Sequence, residues 1–260
     1  MARVEPFFST AGDDLLPLPP ARSPWSADML HGRVLGGLAA RAIERAGFGE
    51  GLRPARVTVD LFKNTGFVPL RVTATPVREG RRIRVVDAVV SGPAGPVARA
   101  SCVLLRAGAQ PAAGGGWERP AWDVPPPGEG PSLDGTPMPM QMWPADEGSW
   151  QSSGAAPRRA WVRDIRALVD AEPLSPFVRA VLAADLASPL THWGAGDLAF
   201  INADYTLHLA RLPEGDVIGL EAGGHLSADG IAAGHCVVYD AKGPIGHSNT
   251  TAIGNAPMRS

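Results

Sequence analysis

Apolar and polar residues alternate along two stretches of the chain, in the pattern typical of antiparallel strands joined by tight turns. Residues 70–106 and residues 217–253 each contain three such strands and begin 147 residues apart. Glu79-Gly80 and Asp229-Gly230 supply the first turn of each set, where glycine accepts the positive φ that a tight hairpin needs. A Gly-Pro pair supplies the second turn. The chain is therefore predicted to contain two copies of one supersecondary unit.

In the first half, one more strand and a helix precede the hairpin set. Residues 56–62 alternate between apolar and polar positions and are predicted as a strand. Residues 27–46 have an apolar stripe at every fourth position, which predicts a helix with Ser26 as its N-cap.

The second half has the same order of elements. Residues 198–209 alternate and are predicted as a strand, and residues 176–186 are predicted as a helix that extends to Thr191 at most. Ser175 is a suitable N-cap, and Pro176 suits the first helical position. Each half thus combines one helix with an antiparallel sheet, an α+β organisation.

Residues 107–157 separate the halves and hold 10 Pro and 9 Gly, too many for regular structure. They are predicted to be a linker, although the sequence PMPMQMWP within them suits an edge strand of the second half, because Met and Trp are costly to expose to water. The predicted domains are residues 1–106, the linker 107–157, and residues 158–260.

Composition narrows the classes of protein. Of the 260 residues, 45% are hydrophobic and 19% are charged, and the net charge is −2, which argues against a disordered chain and against a general nucleic-acid surface. The two cysteines lie in apolar strands and are expected to be buried, reduced thiols. The opening MARVEPFF lacks the apolar core of a signal peptide, and no run approaches the ~20 apolar residues of a membrane helix. We therefore expect a cytoplasmic protein that does not bind membranes.

The sequence lacks the motifs of several classes of enzyme. The sequence has no G-x-S-x-G nucleophile elbow and no P-loop. The six histidines do not have compact metal-ligand spacing such as H-E-x-x-H. We expect neither a metal ion nor a cofactor.

Four segments resemble the thioesterase-like superfamily, and specifically its double hotdog acyl-CoA thioesterases. They are SPWSADMLHGRVLGGLAARAIER, LRVTATPVREGRRIRVVDAVV, RAWVRDIRALVDAEPLSPFVRAVLAADLASPL and DAKGPIGHSNTTAI. The resemblance implies a tandem hotdog, in which each antiparallel sheet wraps around a long central helix. It also implies an acyl-CoA or acyl-carrier-protein thioester bound between the halves, and a homodimer is compatible with it.

The resemblance also implies a catalytic trio on the second half. Relatives that hydrolyse acyl-CoA activate a water with an Asp on the central helix, a hydroxyl on the next strand and a Gln on the last strand. These positions match Asp185, Asn202 and Thr250 here, so two of the three depart from the pattern and put hydrolysis in question. Independently, Asp185 shares a helix face with Phe177 and Val181. Burial there would raise its pKa and suit it to act as a base.

The first helix carries candidate substrate-binding residues. Gly36 and Gly37 lie in its middle, where each Gly costs about 1 kcal/mol relative to Ala. Either close packing or close approach of the backbone to a ligand compensates, the second with N–H groups acting as an oxyanion hole. His31 is a candidate polar lining residue or a structural histidine. A cluster of arginines on the first hairpin suits either CoA phosphates or a solvated surface. It comprises Arg71, Arg78, Arg81, Arg82 and Arg84.

Three functions compete. The leading hypothesis is an acyl-CoA thioesterase of lipid metabolism, with Asp185 activating water. The second is a hotdog hydratase or dehydratase, because Asp185 and His192 resemble the Asp and His of that motif, although their spacing of seven differs from its five. The third is a non-catalytic protein that binds an acyl or polyketide group.

Overall fold

The computed structural model describes residues 4–23, 26–111, 119–123, 125–128, 140–145, 157–170, 172–193 and 198–255. The elements of the first half are β1 (Phe8–Ala11), β2 (Asp14–Pro17), a 3₁₀ turn (Pro19–Ala21), β3 (Arg22–Ser23), β4 (Ser26–Leu30), α1 (Gly32–Arg45), β5 (Leu52–Leu61), β6 (Arg71–Glu79), β7 (Ile83–Gly92) and β8 (Gly95–Arg106). Those of the rest of the chain are β9 (Met140–Pro144), β10 (Arg159–Asp164), α2 (Pro176–Ala184), α3 (Ala187–His192), β11 (Phe200–Leu209), β12 (Val217–Ala228), β13 (Ile231–Asp240) and β14 (Gly243–Gly254).

Ten of the described strands form one antiparallel sheet in the order β6-β7-β8-β5-β11-β14-β13-β12-β10-β9. Strands β5 and β11 meet at its centre, where Thr58 faces Thr206 and their hydroxyl oxygens are 3.0 Å apart. On each side of this pair lies one of the two hairpin sets, β6 to β8 and β12 to β14. The strands predicted from the alternation are therefore confirmed, and their order is consistent with a duplication.

The helices pack against the sheet. Helix α1 packs on β6, β7 and β8 and against α2, whereas α3 packs on β11 to β14. The rings of His192 on α3, Phe200 on β11 and His225 on β12 lie 5.0–5.8 Å apart, measured between centroids. Two strands separate β11 from β12 in the sheet, so their contact across the end of α3 requires strong curvature.

The prediction for the start of the first helix is wrong. Ser26 to Leu30 form strand β4, paired with β3, and the helix starts at Gly32. The apolar stripe included Leu30, whose backbone N–H instead donates to the Thr65 carbonyl. The N-cap is His31, whose Nδ1 accepts a hydrogen bond from the Arg33 N–H at 3.3 Å.

The second helix starts where the sequence predicts. The Ser175 hydroxyl oxygen accepts from the Val178 N–H at 3.1 Å, and Pro176 is the first helical residue. After Ala184, the helical path continues through Asp185 and Leu186 into α3, since both residues have αR backbone angles.

The turns differ between the two hairpins. Asp229 and Gly230 both have positive φ, of 51° and 76°, as predicted. Gly80 does not have positive φ; a Cβ there would lie 2.7 Å from the Ile83 carbonyl oxygen, so close approach of the backbone requires the glycine instead.

Part of the Pro- and Gly-rich segment is ordered against the sheet. Met140–Pro144 forms the edge strand β9 beside β10. The indole of Trp122 packs on Tyr239 and Trp161 at centroid distances of 4.6 and 4.8 Å, and its N–H donates to Glu221 at 2.9 Å. The remaining residues of the predicted linker include 112–118, 129–139 and 146–156, which lie outside the described part of the chain.

Both cysteines are buried free thiols, as expected. Burial raises the pKa of Cys102 to about 12, so this thiol stays protonated. None of the helices in the described ranges combines the length and apolar character that crossing a membrane requires.

Candidate functional site

A cavity of about 320 Å³ lies where the start of α1 approaches the junction of α2 and α3. Residues 23–65 form one side of it, and residues from 185 onward form the other. Its apolar lining is Met29, Leu30, Leu35, Leu61, Pro189, Leu198, Ile201, Ala203 and Ile253. Its polar lining includes His31, Lys63, Asn64, Thr65, Asp185, Ser188 and Asn202. An apolar cleft with a few convergent polar groups is the usual form of a small-molecule site.

Asp185 and Asn202 form a hydrogen-bonded pair in this cavity. Asp185 follows the last residue of α2 and is only 4% exposed. Asn202 on β11 donates from Nδ2 to the Asp185 Oδ1 at 2.9 Å. Burial raises the pKa of Asp185, and the hydrogen bond from Asn202 and the charge of Arg33 partly oppose the rise. A carboxylate of raised pKa is suited to take a proton from a bound water.

His31 lies on the opposite wall. Its Nδ1 is 3.9 Å from the Asp185 Oδ2 and accepts from the Arg33 N–H. Burial and the neighbouring Arg33 charge lower the pKa of His31 to about 3, so the ring is neutral at physiological pH. Since Nδ1 is an acceptor, we infer from the hydrogen bond that Nε2 carries the proton. His31 is therefore a neutral side chain in the wall of the cavity and does not form an ion pair with Asp185.

Beside the cavity, the buried Arg33 links α1 to β10 through an ion pair and to α2 through a hydrogen bond. The Arg33 Nη2 donates to both oxygens of Asp164 on β10, at 2.7 and 2.8 Å, and its Nε donates to the Leu182 carbonyl at 3.1 Å. Arg33 is fully buried. Leu182 is one helical turn before Asp185, so this contact fixes the first turn of α1 against the last turn of α2. The sequence reasoning did not single out Arg33; its signal was a charge in the first turn of α1, directly before the apolar run from Val34 to Ala40.

The glycines of α1 have different surroundings. A Cβ on Gly36 would collide with the Tyr205 hydroxyl, and one on Gly37 would lie 2.7 Å from the Leu182 Cδ2. Neither residue lines the cavity, so the geometry favours the packing interpretation of both. Gly32 does line it, and a Cβ there would lie 3.8 Å from the Asp185 Oδ1. As the first residue of α1, Gly32 has an N–H without an acceptor within the helix.

Thr250 is not brought to this cavity. Its hydroxyl donates to the Asp204 carbonyl oxygen at 2.9 Å, and it lines a different cavity, of about 560 Å³, with His225 and His235. Strand β14 contributes Ile253 to the cavity of Asp185. The structure thus brings together Asp185, Asn202 and His31 from the predicted site residues.

Ser188 is a cavity residue that the sequence reasoning missed. It is 1% exposed, and no described residue is a hydrogen-bond partner of its hydroxyl. Only its position three residues after Asp185 could have indicated it, because residues so spaced share a helix face.

The Asp–His pair of the hydratase hypothesis is not formed. The His192 Nδ1 lies 2.8 Å from the His225 Nδ1, and His192 does not line the cavity of Asp185. Among the described residues, no three or more His, Cys, Asp or Glu side chains are placed to share a metal ion.

Four of the hairpin arginines, Arg78, Arg81, Arg82 and Arg84, lie far from the cavity, whereas Arg71 lies at the other end of the hairpin and is ion-paired with Asp14. Their turn, at residues 80–82, is beside the Leu52 end of β5, since the Arg82 carbonyl accepts from Arg106 and Arg106 pairs with Leu52. Lys63 follows the opposite end of β5. Ten residues of strand separate the two ends, roughly 30 Å at about 3.3 Å per residue.

Family models match nearly the whole chain. Residues 21–105 match the acyl-CoA thioesterase N-terminal domain, and residues 109–253 match the acyl-CoA thioesterase C-terminal domain. The chain therefore belongs to the double hotdog acyl-CoA thioesterase family. Membership of this family supports thioesterase activity in general. No curated protein matches the sequence.

Solved structures share the fold at low sequence identity. A TesB protein of Mycobacterium avium subspecies paratuberculosis has a TM-score of 0.66 and 13% identity, with 96% of each chain covered. Acyl-CoA thioesterase II TesB2 of Mycobacterium marinum has a TM-score of 0.64 and 13% identity, with coverage of 87% of this chain and 91% of that one. A protein with a hot dog fold from Alicyclobacillus acidocaldarius has a TM-score of 0.68 and 16% identity, with 96% of each chain covered.

Proposed function

We propose that this protein hydrolyses acyl-CoA thioesters in the cavity that holds Asp185, with Asp185 as the base that activates water. The observation that carries the proposal is the buried Asp185–Asn202 pair, whose carboxylate has a raised pKa and borders an apolar cavity. A base of this kind needs a substrate that presents an electrophilic carbon beside an apolar tail. An acyl thioester has both.

The proposal includes a double hotdog, with the N-terminal hotdog in residues 1–106 and the C-terminal one in residues 158–260. The order of strands, which repeats outward from the β5–β11 pair, supports this division. So do the packing of α1 on the first hairpin set and of α3 on the second. The cavity then lies between the two hotdogs, because its walls come from both.

The reaction uses groups from both walls. The thioester carbonyl accepts a hydrogen bond from the Gly32 N–H, where the N-terminal end of α1 stabilises negative charge on oxygen. Asp185 takes a proton from the water as its oxygen attacks the carbonyl carbon. The tetrahedral intermediate then collapses, the C–S bond breaks, and the thiolate receives the proton from Asp185. Asn202 keeps the carboxylate oriented throughout.

In this proposal, the two ends of the substrate bind different parts of the lining. Leu35, Leu61, Ile201 and their apolar neighbours accept the acyl group. Lys63 is a cation in the described lining of the cavity and is exposed, so it is available to a phosphate of CoA or of a carrier-protein arm. Pairing of two copies and a cytoplasmic location stay predictions.

The test is release of free thiol, captured by Ellman's reagent, from a panel of saturated acyl-CoA esters of increasing length. We expect release of free thiol from at least one of these esters, and none when the corresponding free fatty acids replace the esters. A protein that binds the esters, as measured by calorimetry, but releases no thiol would be the non-catalytic acyl binder instead. Loss of the ultraviolet absorbance of crotonyl-CoA without thiol release would identify the hydratase.

A further inference from the structure

Ser188 lines the cavity, and its buried hydroxyl has no hydrogen-bond partner among the described residues. Ser188 is 1% exposed and lies three residues after Asp185, and its N–H donates to the Asp185 carbonyl at 3.1 Å. The two residues therefore belong to one helical turn and line one cavity. Buried hydroxyls almost always have a hydrogen-bond partner, and an exception calls for an explanation.

The usual partner of such a hydroxyl is already engaged. A serine in a helix commonly donates to the carbonyl four residues earlier, which for Ser188 is that of Ala184. The Ser248 hydroxyl donates to this carbonyl at 2.8 Å. Thr191, on the same helix, does make the usual contact and donates to the Ala187 carbonyl at 2.7 Å. Ser188 is thus the hydroxyl of α3 that has no partner among the described residues.

We propose that Ser188 is a catalytic residue that orients the hydrolytic water together with Asp185; this assignment rests on the proposed thioesterase function. Thr250, the residue at the third position of the predicted trio, has its hydroxyl bound to the Asp204 carbonyl and lines another cavity. The hydroxyl of the predicted pattern belongs on the strand after the helix, where this chain has Asn202, and Ser188 supplies a hydroxyl from α3 instead.

The step balances without a covalent role for Ser188. One hydrogen of the water is held by Asp185, which removes it as the C–O bond forms. The Ser188 oxygen accepts a hydrogen bond from the other hydrogen, which stays on the acid product. The proton on Asp185 passes to the thiolate that leaves. Ser188 is unchanged at the end of the cycle.

The variant Ser188→Ala tests this in the full-length protein. Removal of an unpartnered hydroxyl should leave thermal stability equal to that of the wild type or higher. We expect kcat for the best acyl-CoA ester to fall about ten- to a hundredfold, because the water loses one of the hydrogen bonds that orient it. KM should change less than about threefold. Ser188→Thr, which keeps the hydroxyl, should recover part of kcat.

Thr191→Val is the matched control, because it removes a partnered hydroxyl of the same helix and should lower stability more than kcat. Wild-type kcat in folded Ser188→Ala would overturn the assignment. So would an acyl adduct on Ser188 detected by mass spectrometry, since Ser188 would then be the nucleophile. If the wild type itself releases no thiol from any ester, the proposed function fails and this assignment fails with it. If the wild type is active and Ser188→Ala equally so, only the assignment to Ser188 fails.

Discussion

A Cβ added at Gly36 would collide with the side chain of Tyr205, and this collision leads to a testable prediction. Tyr205 on β11 is fully buried, and its hydroxyl lies where a Cβ on Gly36 of α1 would be. That hydroxyl has no hydrogen-bond partner among the described residues. The double-mutant cycle of Gly36→Ala and Tyr205→Phe therefore probes whether α1 needs glycine because of this side chain.

The magnitudes come from opposing effects. Gly36→Ala gains about 1 kcal/mol of helix propensity, but overpacking of a buried site costs about 1–3 kcal/mol or more. Tyr205→Phe removes an unpartnered buried hydroxyl, a group that costs about 1–3 kcal/mol. In the double variant, the nearest remaining atom is the ring carbon Cζ, 2.9 Å from the new Cβ, so a small shift of the ring suffices. We expect Gly36→Ala to destabilise, Tyr205→Phe to be neutral or stabilising, and the two to couple favourably by about 1–3 kcal/mol.

Urea unfolding of the wild type, both single variants and the double variant measures this coupling. Gly37→Ala is the matched control, because Leu182 and not Tyr205 occupies its Cβ position, and Tyr205→Phe should not rescue it. The reasoning is refuted if Gly36→Ala is as stable as the wild type, or if the effects of Gly36→Ala and Tyr205→Phe simply add.

Three further predictions concern charge. Since the native pKa of Asp185 is raised, the wild type should lose stability relative to Asp185→Asn as the pH rises above about 4, which is the pKa of this group in the unfolded chain. The difference in melting temperature between the two proteins should therefore change between pH 4 and pH 7. The native pKa of His31 is about 3, so the wild type should lose stability relative to His31→Asn, which keeps a capping side chain, as the pH falls from about 6.5 toward 3. A difference in urea midpoint between the two proteins that is the same at pH 7.5 and at pH 5 would contradict this. Lys63→Ala should raise KM for acyl-CoA, whereas Arg81→Ala with Arg82→Ala should leave it unchanged; the reverse result in steady-state kinetics would place the phosphates at the hairpin.

The strands were predictable because their signal is local. Alternation over residues 217–253 places every second side chain on one face, whatever the rest of the chain does. The start of α2 was also local, since Ser175 and Pro176 fit only the beginning of a helix. The start of α1 was not. Leu30 fits an apolar stripe of period four as well as the end of a buried strand, and only its pairing with Thr65 decides between them.

The site was less predictable because its members meet through tertiary structure. Asp185 could be selected for its apolar helix face, but the positions of Ser188 and Arg33 depend on which neighbouring carbonyls and carboxylates are free. The packing of Gly36 likewise depends on Tyr205, which is 169 positions away in the sequence. Docking of Trp122 on the sheet leaves no signal in a Pro- and Gly-rich segment beyond the presence of an aromatic residue.

The central claim is that Asp185 activates water for thioester hydrolysis. The most direct measurement is the kcat for thiol release by Asp185→Asn relative to the wild type, at pH 7 and with the best ester of the panel. Asn at this position can still accept the hydrogen bond from Asn202 but cannot take a proton from water. We predict a fall in kcat of about 10²-fold or more, with the protein folded and acyl-CoA binding retained. A folded Asp185→Asn variant with wild-type kcat would contradict the account.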